Sequence, residues 1–439
     1  MLALPCLAIY SGNSARKHPP KTMSSSSSYA TALSMQSREA WNFAHKYIGN
    51  LWFKGGVVLS VVAFLLAYFL LPSLDKNKSV TVVMVFVLVQ LFFLAGCVYP
   101  TEKTLAKKFP MDRSLLDEGK SKPVRMILDV DTGVDDALAL LFALKQTRRI
   151  YLEAVVCSYG NVSAELSAEN TLKIMELVGA EREIPVIVGA KCALDGTVRE
   201  CPVHIHGENG LGNAVLPEPI RKPVDADYAD FIYELVAKNP KDIVYVTTGP
   251  MTSLAKTIEK HPDMPALLKR FVAMGGAIDH EGNVLPCSEA NIYADPKATN
   301  ICFGMDCKKI LVPLDATYQA MLKKEDLLRF KNSAKSESSR KIAGFLYDAF
   351  EPYIDFYNET EELHNSCPVH DPLAVLIGAS PFSATRSDVW CRAEENGELT
   401  RGMLVCDKRH KKSEEFFNIE YAYSVDGKSA VAIILDSLK

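Results

Sequence analysis

The stretch Met126-Ile-Leu-Asp-Val-Asp-Thr-Gly-Val-Asp-Asp136 runs straight into an apolar helical segment, 137–145. It begins as a β-rich run and ends as a turn, and four carboxylates, Asp129, Asp131, Asp135 and Asp136, fall within eight residues. A strand that stops where a helix starts puts those acids at the carboxyl edge of a sheet, where open α/β folds bind ligands. So many like charges repel one another unless a cation joins them, and an all-oxygen set suits a hard divalent ion. Helix capping explains Asp135 or Asp136 but not all four acids.

Two other acid-rich motifs fit less well. An EF-hand loop counted from Asp129 requires Gly and Glu where Val134 and Leu140 stand. A haloacid-dehalogenase-like phosphatase also opens with Asp-x-Asp after a strand, but its usual Thr is Gly133 here, which leaves it a weak alternative.

Outward from this stretch, β-rich runs at 126–130, 152–156, 243–246 and 310–312 alternate with helix-like segments at 135–145, 164–178, 228–237 and 254–260. In the helix-like segments apolar residues recur every three or four positions. That alternation predicts βαβ units and an α/β fold with a doubly wound, mostly parallel sheet over 122–439.

The 439-residue chain is 48% hydrophobic and 23% charged, which excludes whole-chain disorder. A formal net charge of -4 lacks the basic excess of a general nucleic-acid binder, so nucleic acid is not expected as a partner. The 11 cysteines are odd in number and lack paired CxxC spacing, so they read as reduced thiols.

Residues 1–50, with the Ser24 to Ser28 run and little periodicity, read as a disordered tail. Residues 51–100 hold two apolar blocks, 55–71 and 80–99, joined by a short turn that contains Asp75, Lys76 and Lys78. Each block is long enough to cross a ~30 Å hydrocarbon core, which predicts a transmembrane helical hairpin. Arg38, Lys46 and Lys54 precede the hairpin, and Lys103, Lys107, Lys108 and Arg113 follow it. An excess of Lys and Arg marks the cytoplasmic side, so the domain beyond a 101–121 linker should face the cytosol.

Further along lie four more polar segments. Val203-His-Ile-His-Gly-Glu-Asn-Gly carries His204 and His206, and Val246-Thr-Thr-Gly-Pro places Thr248 in a turn after a strand. Met274-Gly-Gly leads to Asn283, Glu289 and Asn291, a set able to fork hydrogen bonds onto neighbouring hydroxyls as a sugar demands. Val369-His-Asp-Pro sets His370, suited to proton delivery, beside Asp371, suited to a metal. A solvated loop, a turn and an Asp-Pro helix start are the bland readings of these segments.

Together the segments resemble the nucleoside hydrolase family, the inosine-uridine preferring nucleoside N-ribohydrolases. The likeness runs from about Lys122 to the C-terminus, and five separated motifs follow the family's order. The resemblance implies hydrolysis of the N-glycosidic bond of a ribonucleoside to ribose and free base. It also implies a Ca²⁺ held by Asp131, Asp136, the Thr248 carbonyl and Asp371, with Asp131 as general base on water. Asp135, Asn161, Asn283, Glu289 and Asn291 would hold the ribose, Met274 would also touch the substrate, and Asp129 would support the loop. His206 would stand on the base side, and His370 would protonate the departing base. Family members are commonly dimers or tetramers, which implies a homodimer or homotetramer. Three positions depart from the pattern: Thr132 for Pro, Ala290 for an aromatic and Tyr318 for His. None removes a proposed catalytic group. His370, where other members have an aromatic, resembles the non-specific or pyrimidine-accepting members. The alternative from another class is a catalytically silent nucleoside sensor of the same fold.

Overall fold

The computed structural model describes residues 2–19, 29, 31, 34, 38–108, 122–180 and 182–439. Two units emerge, Met1–Ser121 and Lys122–Lys439.

In the second unit the strands are β1 (Val124–Val130), β2 (Ile150–Cys157), β3 (Val186–Val188), β4 (Ile243–Thr247), β5 (Arg270–Met274) and β6 (Lys309–Val312). They are followed by β7 (Met321–Lys323), β8 (Ser366–Pro368), β9 (Ala384–Ala393), β10 (Leu404–Cys406) and β11 (Phe417–Val425). Nine of them form one sheet in the order β10-β9-β11-β6-β5-β4-β1-β2-β3, while β7 and β8 pair separately. From β11 to β3 every neighbour runs parallel, and β9 is antiparallel to both β10 and β11. The expected doubly wound, mostly parallel sheet is therefore present.

Alternate residues of β1 enter different cores. Met126, Leu128 and Val130 join the apolar cluster on one face, and Ile127 joins the other. A strand buried on both faces reads as a continuous apolar run, which is why 126–130 was legible as a strand. Because β1 pairs with β2 on one side and β4 on the other, the strand order reverses at β1, and a crevice opens past its carboxyl end. The four acids of the opening stretch stand at that crevice.

The first unit corrects two expectations. The 1–50 segment is not featureless, since helices span Ala3–Lys17 and Arg38–Leu65. They pack through bare backbone: a Cβ on Gly12 would meet Phe53 N at 2.6 Å and Gly49 O at 2.7 Å. Composition cannot show such contact between two helices. Trp41, Ala44 and Ile48, at helical spacing, are buried there. The Ser24 to Ser28 run lies outside the described residues.

The first apolar block ends in a π turn at Leu66–Leu70 and a 3-10 turn at Leu71–Ser73. The second block forms helix Lys76–Gly96, capped by the Asp75 carboxylate, which accepts from Lys78 N at 3.0 Å. Part of the expected linker is helical, Val98–Lys108, because Lys107 and Lys108 in its last turn suit the negative end of the helix dipole. The remainder, 109–121, lies outside the described residues. The segments 40–73 and 76–108 are long and apolar enough to cross a membrane, each holding an 18-residue stretch of mean hydropathy 2.2 and 2.6 respectively.

Candidate active site

Strand β1 delivers Asp129 next to its last residue and Asp131 just beyond it, and Asp135 and Asp136 stand in the first turn of helix Val134–Lys145. Asp371 enters from the start of helix His370–Ala379. All five carboxylates are buried, and oxygens of Asp135, Asp136 and Asp371 lie within 4.8 Å of one another.

The partners of these acids differ. Asp129 accepts from the Ser158 hydroxyl at 2.6 Å and the Tyr245 hydroxyl at 2.7 Å, and its own carbonyl accepts from Thr248 N at 2.8 Å. It thus ties β1 to β4 and to the residues that follow β2 and β4. Asp136 accepts from Gly133 N at 2.9 Å, the Thr248 hydroxyl at 2.7 Å and the Asn161 amide at 3.2 Å. Asp131 Oδ2 accepts from Asn161 N at 2.8 Å. Its Oδ1 and Asp135 Oδ1 are buried without a hydrogen-bond partner. A Cβ on Gly249 would stand 2.8 Å from Asp131 Oδ1, and one on Gly160 would overlap Asp131 Oδ2. The chain keeps both positions bare around this carboxylate.

Burial pushes all five groups upward, and repulsion from neighbouring acids adds to it at Asp129, Asp131, Asp135 and Asp371. Asp129 and Asp135 rise to about 7, and Asp131, Asp136 and Asp371 also rise, mainly through desolvation. A cation would relieve both causes at once. With only oxygen donors and two unpartnered carboxylate oxygens, the cluster fits a hard divalent ion.

One cleft of about 750 Å³ is lined by Asp131, Asp135, Asn161, His206, Thr248, Met274, Asn283, Glu289, Asn291, His370 and Asp371. That volume falls in the usual range for small-molecule sites, roughly 300–1,000 Å³. Asp136 and Asp129 sit behind its wall. The structure therefore gathers residues separated by up to 240 positions in sequence, from Asp131 to Asp371.

On the expected sugar side, Glu289 caps helix Ala290–Ala294 and accepts from the backbone N–H groups of Gly276 at 2.7 Å, Asn291 at 2.9 Å and Ile292 at 3.2 Å. Asn291 donates to the Thr248 carbonyl at 2.7 Å and to Met274 O and Sδ at 3.3 Å. Asn283 accepts from Ala290 N at 2.9 Å. These groups are held by backbone before any ligand arrives.

On the other side stand two histidines. His206 Nδ1 accepts from Val134 N at 3.1 Å, which leaves the proton on Nε2. His370 meets the Thr317 hydroxyl through Nδ1 at 2.8 Å and the Tyr357 hydroxyl through Nε2 at 3.0 Å. Burial lowers both histidines to about 3, so both are neutral at physiological pH.

Sequence reasoning missed Tyr357, Thr317 and the aromatic wall of Tyr353 and Phe356. Tyr353, Phe356 and Tyr357 recur at three- and four-residue spacing on helix Glu337–Glu361, a pattern that reads as ordinary core. Only the approach of Tyr353 to His206, of Phe356 to His204 and of Tyr357 to His370 distinguishes them.

Residues 126–432 match the family described as inosine-uridine preferring nucleoside hydrolase, and residues 21–99 match the SdpI/YfhL protein family. The chain is 30% identical over 321 residues to probable uridine nucleosidase 2 of Arabidopsis thaliana, covering 72% of this chain and 97% of that protein. It is 31% identical over 316 residues to the pyrimidine-specific ribonucleoside hydrolase RihA of Escherichia coli, covering 72% and 98%. Among solved structures, the purine-preferring ribonucleoside hydrolase from Gardnerella vaginalis superposes with a TM-score of 0.66 at 32% identity, covering 72% of this chain and 98% of that one. A plant nucleoside hydrolase, PpNRh1, gives a TM-score of 0.67 at 29% identity, covering 72% and 99%.

Proposed function

Since the chain belongs to the nucleoside hydrolase family and is thereby an N-glycosidase, we propose that it splits ribonucleosides into ribose and free base in a Ca²⁺-dependent reaction, tethered to a membrane with its catalytic domain in the cytosol. The observation that carries this reading is the cleft itself. It unites a buried acid cluster, a backbone-held set of sugar-binding groups and a histidine wired to a tyrosine.

Asp131, Asp136, Asp371 and the Thr248 carbonyl would hold the ion; the acids whose oxygens lie within 4.8 Å of one another are Asp135, Asp136 and Asp371, so Asp135 would reach it too, and Asp131 lines the same cleft. When bound, Ca²⁺ neutralises the acids and collects the oxygens of water and sugar. Asp131 is the general base: Asn161 N–H fixes one carboxylate oxygen, and the other, unpartnered, is free to take a proton from water. Bond cleavage leaves positive charge on the sugar, which the carboxylates of Asp135 and Glu289 and the amide oxygen of Asn291 stabilise. The departing base receives its proton on the histidine side. As His370 is neutral, it works as a relay, with one ring nitrogen donating while the other accepts within the Thr317–His370–Tyr357 chain. His206 and the Tyr353–Phe356 wall flank the same side and suit a planar base.

The relatives named for pyrimidine nucleosides, and His370 itself, favour uridine or cytidine over purine nucleosides. Apolar side chains left exposed on the N-terminal helices, among them Phe64, Tyr68, Phe69 and Phe92, support the tether, because water tolerates such a surface poorly. The Lys-rich flanks support the cytosolic side. The decisive experiment measures ribose release from uridine, cytidine, inosine, adenosine and guanosine, with and without a calcium chelator. Release that stops on chelation and in Asp131→Asn supports the reading. Folded, calcium-loaded protein that binds nucleosides yet releases no ribose would make it a silent sensor instead.

A further inference from the structure

The sheet edge opposite the cleft has a chemistry of its own. Five adjacent parallel strands, β6, β5, β4, β1 and β2, begin there. Lys308 stands before β6, Lys269 before β5, Lys241 before β4, Lys122 before β1, and Arg148 and Arg149 before β2. All six side chains are exposed, and none is ion-paired among the described residues. The strand register sets their backbones in a row: Phe271 faces Lys309, Val244 faces Arg270, Arg125 faces Ile243 and Val124 faces Ile150. Five strands at the usual spacing make that row about 20 Å wide.

Exposed acids on the edge are few. Arg125 is already paired with Glu153 at 2.5 Å and lies 4.0 Å from Asp242, so among the described residues Asp242, Asp306 and Glu183 stand against the six cations. Nor do the six merely complement helix dipoles, an effect that fades within the last turn. The last turns of the helices preceding β2 and β4 already carry Lys145 and Lys238, and the six lie beyond the helix ends. The cleft edge, by contrast, is lined by Asp131, Asp135, Glu289 and Asp371. A chain of net charge -4 thus gathers an excess of unpaired positive charge on one edge, away from the acids of its cleft.

We propose that this basic edge docks onto an anionic lipid surface. The inference rests on the membrane-tether reading above. The chain enters the domain at this same edge, through Lys122, directly after the apolar N-terminal unit. Attraction between Lys or Arg and anionic headgroups fades within a Debye length, about 8 Å at physiological salt, so it is useful to a domain already kept near a bilayer. Docking by this edge turns the cleft toward solution, where soluble nucleosides arrive.

The test places the full chain in nanodiscs of phosphatidylcholine alone or with about 30% phosphatidylserine and follows amide exchange at 146–149, 239–242, 267–270 and 306–309. Exchange is expected to slow at least about fivefold on anionic discs only, and to recover in about 0.5 M NaCl. A variant with Arg148, Arg149, Lys241, Lys269 and Lys308 all changed to Gln should lose the protection. Its ribose release should match that of the parent, which shows that it is folded. Equal exchange on both discs, from protein integrated in them, overturns the docking inference and leaves the tether standing. Protection by polyuridylate on neutral discs, without protection by lipid, overturns it in favour of RNA. Protein recovered outside the discs overturns the tether and the docking together.

Discussion

At the residue scale, Asp131 is set apart by what it lacks. Among five buried carboxylates it has one oxygen anchored by a backbone amide and the other without a partner, and two glycines keep a space clear around it. Asp131→Asn keeps the shape and removes the base, so kcat should fall about a thousandfold in ribose-release assays while the melting temperature holds or rises. Tyr357→Phe removes the hydroxyl at 3.0 Å from His370 Nε2, so kcat should drop about tenfold with KM little changed. An effect on KM alone would move Tyr357 from the proton relay to base packing. The raised acids also set a pH dependence for the chelated protein. A carboxyl whose pKa rises from 3.8 to about 7 on folding, as for Asp129 and Asp135, stabilises the fold below pH 4 and loses that contribution as pH rises to 7. His206 and His370, lowered from 6.5 to about 3, act in the opposite sense, and their contribution is lost as pH falls below 6.5. Between pH 6.5 and 7 only the acids still change. Calcium should therefore raise the melting temperature more at pH 7 than at pH 5, and a larger rise at pH 5 would contradict the cluster as the calcium site.

At the element scale, function depends on turns at the carboxyl ends of β1, β2 and β4. The β1 turn carries the acids, the β2 turn brings Gly160 and Asn161, and the β4 turn brings Thr248 and Gly249. Gly160 has φ +157°, and Gly249 lies against Asp131 with no room for a methyl group. Gly249→Ala should therefore displace the base and lower kcat about a hundredfold, since a shift of about 1 Å costs that much. Calorimetry should show a folded protein with weakened calcium binding; unchanged kinetics would show that Asp131 tolerates the shift. Motif reading captured these turns because each lies within a few residues of its strand. It captured Glu289 less well, since a sugar-binding carboxylate and a helix-capping one look alike in sequence, and here its three partners are backbone amides. It missed helix Glu337–Glu361, whose aromatic residues have the spacing of any buried stripe.

At the scale of the whole molecule, the 122–439 unit alone accounts for nearly the full length of the relatives it resembles. Deleting residues 1–121 should therefore leave kcat/KM within about twofold while releasing the protein from membranes, checked by ribose release and flotation. If the truncated chain folds but is inactive until the N-terminal unit is restored, that unit is part of the enzyme and not a tether. The Asn161-Val-Ser163 sequon bears on orientation. Asn161 is bonded to Asp131 and Asp136, and Ser163 caps helix Ala164–Val178 through Leu166 N. A glycan on Asn161 would break the site, so in active protein from eukaryotic cells the peptide that holds Asn161 should be found without a glycan by mass spectrometry.

What the sequence determined by itself is local or periodic. An apolar run ending in clustered acids specifies strand, turn and ligand edge, since strand burial and charge repulsion act over a few residues. Alternating periods of two and three to four specify the α/β class, and two long apolar blocks specify helices fit for a bilayer. Tertiary structure alone decided which distant groups meet. It brought Asp371 to within reach of Asp135 and Asp136, turned His370 between Thr317 and Tyr357, and left one oxygen of Asp131 without a partner. It also seated helix Ala3–Lys17 on the glycines of its neighbour and aligned six cations from five strand starts along one edge. Such meetings depend on strand order and packing between residues far apart in the chain, and neither leaves a local pattern to read.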